Sequence, residues 1–140
     1  MAVLYVATSK NLAEWSSDVG LGKHVYKVGV AEGSAKEAVE GLNAESYAGM
    51  SDWKLVKHQP AEGLEESAAL QRLGRSAKSI DPAYYPRIRG AVGLFRVKPD
   101  AVQNFFLVRQ AMAGEATKLD KVKPADIAAY LLLNAAPEQE

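Results

Sequence analysis

The stretch HVYKVGV, residues 24–30, sets the architecture of this chain. Its side chains alternate with a period of two, which predicts a β-strand over His24–Val30. One face of this strand would carry Tyr26, Val28 and Val30, and the other face Lys27 and Gly29. The upstream segment Ala2–Thr8 is short, apolar and rich in β-branched residues, so it predicts a strand that pairs with this one.

Further helices and strands alternate along the rest of the chain. Ser34 and Glu37 have the spacing of a capping box, which indicates that a helix begins at Ser34. The predicted elements are that helix to Asn43, a strand over Asp52–His58, a helix over Glu62–Lys78, a strand over Ala91–Val97, a helix from Pro99 to Ala113 and a last helix from Pro124. Residues Lys10–Val19 fit either a helical turn or a loop. The order β-β-α-β-α-β-α-α predicts an α/β (α+β) fold, with a small, mostly antiparallel or mixed sheet of about four strands flanked by helices.

Length and composition are those of one globular domain. The chain has 140 residues, of which 48% are hydrophobic and 24% charged. We therefore expect a single domain over residues 1–136, with the last helix as an extension and a tail at 137–140. No apolar run approaches the roughly 20 residues of a membrane span, and the first residues lack the features of a signal peptide. Together with the absence of cysteine, which excludes disulfides, this predicts a cytoplasmic protein without a membrane partner.

Charge is distributed unevenly although it sums to zero. The segment Ala31–Glu66 has eight acids and three lysines, a net charge of −5. The segment Arg72–Lys98 has seven bases and one acid, a net charge of +6. Such polarity fits a nucleic-acid partner, a protein partner or head-to-tail association of two copies.

Several classes of catalytic site lack their sequence signals. His24 and His58 lie on separate predicted strands, which argues against a transition-metal site, whereas a carboxylate site for magnesium stays open. The turn Gly29–Ser34 has neither the Gly-Lys-Ser/Thr ending of a P-loop nor the third glycine of a dinucleotide fingerprint. No serine lies in a Gly-x-Ser-x-Gly elbow.

The segment Tyr84–Gly90 combines two tyrosines with Arg87 and Arg89. Aromatic faces stack on bases and guanidinium groups pair with phosphates, so this segment is a candidate nucleic-acid contact. The alternative is a loop in which a tyrosine anchors to the core and the arginines are solvated. The residues alone leave both interpretations open.

The two predicted strands at the start of the chain carry a family resemblance. Val3-Leu4-Tyr5, then Tyr26-Lys27-Val28-Gly29 and a helix that ends near Leu42-Asn43, resemble the GIY-YIG nuclease superfamily. The likeness is to its phage and bacterial branch, whose second motif reads Tyr-Lys-Ile-Gly. It extends over roughly residues 2 to 113. The resemblance implies that the two motif strands are antiparallel neighbours.

The resemblance also implies roles for individual residues. Tyr5 would correspond to the tyrosine that helps activate the attacking water, and Tyr26 to the tyrosine of the second motif. Gly29 would let the backbone pass close to the site. The magnesium-binding glutamate would be Glu65 or Glu66. On this interpretation the hydroxyls of Tyr5 and Tyr26 lie side by side in one hollow.

One position departs from the family. The arginine that contacts the scissile phosphate corresponds to Ala38, so Arg72 or Arg75 would have to reach the site instead. The resemblance therefore implies a domain that binds DNA or RNA, and the absence of the arginine argues against hydrolysis. The candidate nucleic-acid contacts are Arg72, Arg75, Tyr85, Arg87 and Arg89. Two alternatives stay open: a non-catalytic protein-interaction or regulatory module, and an active magnesium-dependent endonuclease with a relocated arginine.

Overall fold

Five strands and five helices follow one another in the computed structural model, which describes residues 2–80, 85, 88, 91, 93–114 and 122–135. The strands are β1 (Ala2–Ser9), β2 (Val25–Glu32), β3 (Trp53–Pro60), β4 (Lys78–Ser79) and β5 (Leu94–Arg96). The helices are α1 (Lys10–Asp18), α2 (Ala35–Ala44), α3 (Glu66–Leu73), α4 (Pro99–Met112) and α5 (Pro124–Ala135), with a 3₁₀ turn at Tyr47–Gly49. No helix in the described part of the chain has the length and apolar character that a membrane span requires.

One antiparallel sheet holds all five strands in the order β3-β1-β2-β5-β4. β1 therefore lies between β3 and β2. Tyr5 lies opposite Gly29 of β2 and opposite His58 of β3. This confirms the predicted α+β fold and the predicted pairing of the first two strands.

Both faces of the sheet are largely buried along β1 and β2. The first face is covered by α3 and α5 and carries Leu4, Val6, Tyr26 and Val28. The second face is covered by α1 and α2 and carries Val3, Tyr5, Ala7 and Val25. Because side chains alternate along a strand, neighbouring residues of β1 and β2 enter different cores. The assignment of a residue to one face therefore decides which groups it can meet.

Helix α1 forms where the sequence leaves a turn or a loop open. The Ser9 hydroxyl accepts a hydrogen bond of 3.1 Å from the Leu12 N–H and donates to Asp52. The second oxygen of Asp52 accepts from the Asn11 N–H at 3.0 Å. These bonds satisfy amide donors of the first turn that have no partner within the helix.

Helix α3 is shorter than the predicted span Glu62–Lys78. Gly63 has a left-handed backbone with φ of 76°, so the chain turns there and the helix begins only at Glu66. At the other end Lys78 and Ser79 form β4, which pairs with β5. Pairing with a neighbouring strand overrides the helical pattern at Lys78.

Helix α4 does not bury the face that its sequence pattern predicts. Its apolar residues Ala101, Phe105, Val108 and Met112 recur at the spacing of one helical face, which predicts that they are buried. Val108 is 56% and Met112 84% exposed, whereas Val102 is fully buried. The helix packs through its first half, where the Phe105 ring meets the Tyr130 ring edge-on at 5.1 Å. The prediction is wrong for Val108 and Met112, because the helix meets the core of the first face through Val102, Phe105 and Phe106 instead.

Candidate functional site

The Tyr5 ring lies over Gly29. A β-carbon on Gly29 would stand 2.7 Å from the Tyr5 hydroxyl oxygen and 2.9 Å from the ring carbon that bears it. Real β-carbons do not approach other atoms so closely, so the ring fits only because residue 29 has no side chain. Tyr5 is 5% exposed, which leaves the ring little room to move aside.

Glu66 reaches the same point from the start of α3. β5 pairs with β2 only as far as Lys27, so its ladder does not extend to Val30. The Glu66 Oε1 atom accepts a hydrogen bond of 3.1 Å from the Val30 N–H. The same oxygen lies 2.9 Å from the position of a β-carbon on Gly29. Glu66 thus satisfies a backbone donor of β2 and brings a carboxylate beside the Tyr5 hydroxyl.

Lys27 is the third polar group at this point. It lies opposite Ala7 in the β1–β2 ladder, so its side chain leaves the sheet on the second face, as Tyr5 does. Lys27 is only 4% exposed. Its Nζ atom lies 4.8 Å from the centroid of the Tyr47 ring, within cation–π range. We call this group the Tyr5 cluster, which consists of Tyr5, Lys27, Gly29, Tyr47 and Glu66.

Burial and neighbouring charge shift the ionisation of the Tyr5 cluster. Burial raises the pKa of the Tyr5 hydroxyl to about 12, and Glu66 and Tyr47 act in the same direction. Burial lowers the pKa of the Lys27 ammonium, while the Glu66 carboxylate opposes that decrease. At neutral pH the Tyr5 hydroxyl is therefore protonated. It can donate a hydrogen bond, but it is a poor general base.

The Tyr5 cluster brings a single carboxylate to the predicted magnesium site. Magnesium is usually held by one or two carboxylates together with waters and phosphate oxygens. Glu66 is the sole carboxylate of the Tyr5 cluster, its Oε1 is bonded to the Val30 N–H, and its charge already acts on Lys27. The described residues contain no group of three or more His, Cys, Asp or Glu side chains placed to hold a metal ion. What the cluster offers is hydrogen bonding and charge pairing.

Tyr26 does not join Tyr5. It is 4% exposed and lies on the first face, in the core with Leu4, Val6 and Val28. The expectation of two hydroxyls side by side in one hollow is therefore wrong. Side chains alternate between the two faces of a strand. Tyr26 precedes Gly29 by three residues, an odd number, so the two positions lie on opposite faces.

The two candidate glutamates separate at the start of α3. Glu65 is the exposed N-cap residue of the helix and makes no side-chain capping bond. Glu66 is half-buried and turns toward the Tyr5 hydroxyl. The sequence left the choice between them open, and the geometry selects Glu66.

Of the candidate nucleic-acid contacts, the three described ones, Arg72, Arg75 and Tyr85, do not meet at the Tyr5 cluster. The Arg72 Nη1 atom donates to the Ala135 carbonyl at 2.9 Å and so links α3 to the end of α5. Arg75 is exposed beyond the end of α3. The Tyr85 ring packs edge-on against Trp15 with 5.5 Å between centroids. Arg87 and Arg89 lie outside the described residues.

Lys27 is the charged residue of the Tyr5 cluster that sequence reasoning missed. A signal was present, because the alternation of β2 already placed Lys27 on the face of Gly29. Ala38, the position of the absent family arginine, is half-buried on α2 and packs against the core of the second face. Lys27 therefore supplies a positive charge on the second face of the sheet, where the alanine at position 38 supplies none.

The comparisons with known proteins return no relative of this chain. No family model, no curated protein and no solved structure matches it.

Proposed function

We propose that this chain is a GIY-YIG-like domain that binds nucleic acid and does not hydrolyse it. The observation that carries the proposal is the convergence of Tyr5, Gly29 and Glu66. These positions belong to three separate elements, and the resemblance implies one site that combines Tyr5, Gly29 and either Glu65 or Glu66. Their proximity in the fold is support that the short motifs themselves could not give.

The chemistry of the site is the reason to propose binding without cleavage. Hydrolysis of a phosphodiester depends on fixed positive charge beside the developing oxyanion. The Lys27 ammonium is 4% exposed and shares its surroundings with the Glu66 carboxylate, so little of its charge is available to a substrate. Tyr5 stays protonated at neutral pH, and Tyr26 lies on the other face.

Binding can be tested by fluorescence anisotropy with labelled single- and double-stranded DNA and RNA oligonucleotides. We expect affinity that falls steeply between about 50 and 200 mM KCl, because phosphate contacts release counterions. Absent binding, or binding that salt does not weaken, would contradict the proposal.

Cleavage is tested on the same oligonucleotides with magnesium and, as a control, with EDTA. We expect no product in either condition. Magnesium-dependent product that disappears in the variant Tyr5→Phe would instead establish the active-endonuclease alternative. Product that survives in that variant would indicate a contaminating nuclease.

The open face of α4 favours a second candidate function, self-association through this helix. Val108 and Met112 are large apolar residues with exposed fractions of 56% and 84%. They lie four residues apart, on one side of the helix. Sedimentation velocity at increasing concentration would detect a dimer, which the variant Met112→Glu should abolish. A monomer at all concentrations would rule this candidate out.

A further inference from the structure

A cavity of about 320 Å³ opens beside β4, β5 and the start of α4. Its volume is at the lower end of the range for small-ligand sites. Three of its lining residues are basic, namely Lys78, Arg96 and Lys98. Its lining contains no carboxylate. We call these three residues the basic triad.

The basic triad results from strand register. Lys78 lies directly opposite Arg96 in the β4–β5 ladder, so both side chains leave the sheet on the same face. Lys98 follows Arg96 by two residues and has an extended backbone, with φ of −95° and ψ of 126°, which continues the same alternation. Three positive charges therefore accumulate at one edge of the sheet.

Such an arrangement opposes folding unless something compensates it. Like charges directly opposite each other on antiparallel strands are destabilising. Within the part of the chain that the structure describes, none of the three side chains forms an ion pair. An anion from solution would relieve this repulsion, and the free energy of that relief would appear as affinity.

We propose that the cavity binds a phosphate group through the basic triad. A guanidinium pairs with phosphate in bidentate geometry and two ammonium groups add charge. The Tyr130 hydroxyl in the cavity wall already donates to the Ser76 carbonyl at 3.0 Å, so the cations are the principal donors. The phosphate can belong to a polynucleotide, in which case the inference rests on the proposed function, or to a small free ligand.

The first experiment titrates inorganic phosphate into the ¹⁵N-labelled full chain at constant ionic strength, with KCl as the balancing salt. We expect saturable shifts of the amide signals of Lys78, Arg96 and Lys98. The triple variant Lys78→Gln, Arg96→Gln and Lys98→Gln should lose saturation. Shifts that do not saturate, or that persist in the triple variant, would overturn the proposal.

The second experiment compares oligonucleotide affinity of that triple variant with a control that removes equal charge elsewhere. Suitable exposed residues for the control are Lys10, Lys36 and Lys54, each replaced by Gln. We expect the triad variant to lose about tenfold or more in affinity, and the slope of log K against log salt to fall by about one per lost contact. The control should lose much less.

The two experiments together separate the sources of phosphate. Saturable phosphate binding with triad-dependent oligonucleotide binding supports a polynucleotide ligand. Phosphate binding without any oligonucleotide binding supports a free phosphate ligand and refutes the proposed function alone. Oligonucleotide binding that is unchanged in the triad variant, without phosphate binding, refutes the cavity and leaves the proposed function standing.

A single charge reversal tests the repulsion itself. In the variant Lys78→Glu the new carboxylate would face Arg96 across the strands, so we expect a higher unfolding temperature together with loss of phosphate binding. If the three cations repel one another, the variant raises the unfolding temperature. If Lys78 instead stabilises the fold through its own contacts, the variant lowers it. A lower unfolding temperature would contradict the repulsion on which the proposal depends.

Discussion

The Tyr5 cluster and the basic triad are two ways of placing charge on one small sheet. In the Tyr5 cluster a lysine and a glutamate interact beneath the surface, and Lys27 is 4% exposed. In the basic triad Lys78 and Arg96 face each other with the same sign at an open cavity. The first arrangement compensates its charge within the protein, whereas no residue that the structure describes forms an ion pair with the second. The comparison indicates that a ligand is better sought at the triad than at the residues the motifs nominate.

The largest effect should come from filling the space under the Tyr5 ring. We expect Gly29→Ala to lower the free energy of unfolding by about 3 kcal/mol, because its methyl group would overlap the ring. Urea denaturation measures the change. Gly41→Ala in α2 is the matched control, since a β-carbon there meets no atom within 4 Å, and it should stabilise by roughly 0.5 kcal/mol. Equal effects of both variants would show that Tyr5 does not need this space.

A double-mutant cycle then tests whether the cluster compensates its own charge. Glu66→Gln should cost about 2 kcal/mol, because it removes a carboxylate charge that favours the buried Lys27 ammonium. Lys27→Met should cost less, since Glu66 is half-buried and water can solvate it. The double variant should be more stable than the sum of the single effects predicts, by about 1 kcal/mol. Strictly additive values would mean that the two charges do not interact.

The Tyr5 hydroxyl predicts a loss of stability in alkali. Its pKa is about 12 in the folded chain against a reference of 10.0, so the folded state retains a proton that the unfolded state releases between these values. This contribution is complete below pH 10 and is lost as the pH rises toward 12. Between pH 10 and pH 12 the free energy of unfolding of the parent protein should fall by about 2 kcal/mol more than that of the variant Tyr5→Phe. Parallel stability curves for the two proteins would contradict the raised pKa.

The smallest effect concerns the salt dependence of the triad. Raising KCl from about 0.05 to 0.5 M screens exposed charges, so it should stabilise the parent chain by about 0.5 kcal/mol relative to the triad Gln variant. The Lys27→Met variant should keep the salt dependence of the parent, because a buried charge is screened much less. Thermal unfolding of the three proteins in a salt series compares them directly. A triad variant that responds to salt as the parent does would remove the contrast between the two sites.

Local pattern predicted much of the fold and only part of the site. The alternation in β2 and the serine at position 34 were sufficient for a strand and a helix start, and the Ser34 hydroxyl accepts from the Glu37 N–H at 3.1 Å. The same alternation separates Tyr26 from Gly29, whereas the motif resemblance implies that the Tyr5 and Tyr26 hydroxyls share one hollow. Position in a motif therefore proved a weaker guide to side-chain direction than the strand period.

Other features depend on contacts that no local pattern contains. The register that sets Tyr5 opposite Gly29 is not fixed by a tight turn, because α1 lies between the two strands. The approach of Glu66 requires that β5 stops pairing at Lys27. The pairing of Lys78 with Arg96 joins residues that the sequence assigned to a helix and a strand. Each of these features depends on tertiary contacts. This explains why the sequence did not predict the full Tyr5 cluster or the basic triad.

The carboxylate that Glu66 places on β2 also has a consequence for solubility. A row of unpaired amide and carbonyl groups on an outer strand can template the addition of a strand from another molecule, which is how many sheet proteins begin to aggregate. The Val30 N–H is already occupied by Glu66, and an incoming strand would have to displace a charged side chain to reach it. β2 lies between β1 and β5 in the sheet, but its ladder with β5 ends before Val30, and there the carboxylate guards against intermolecular sheet growth.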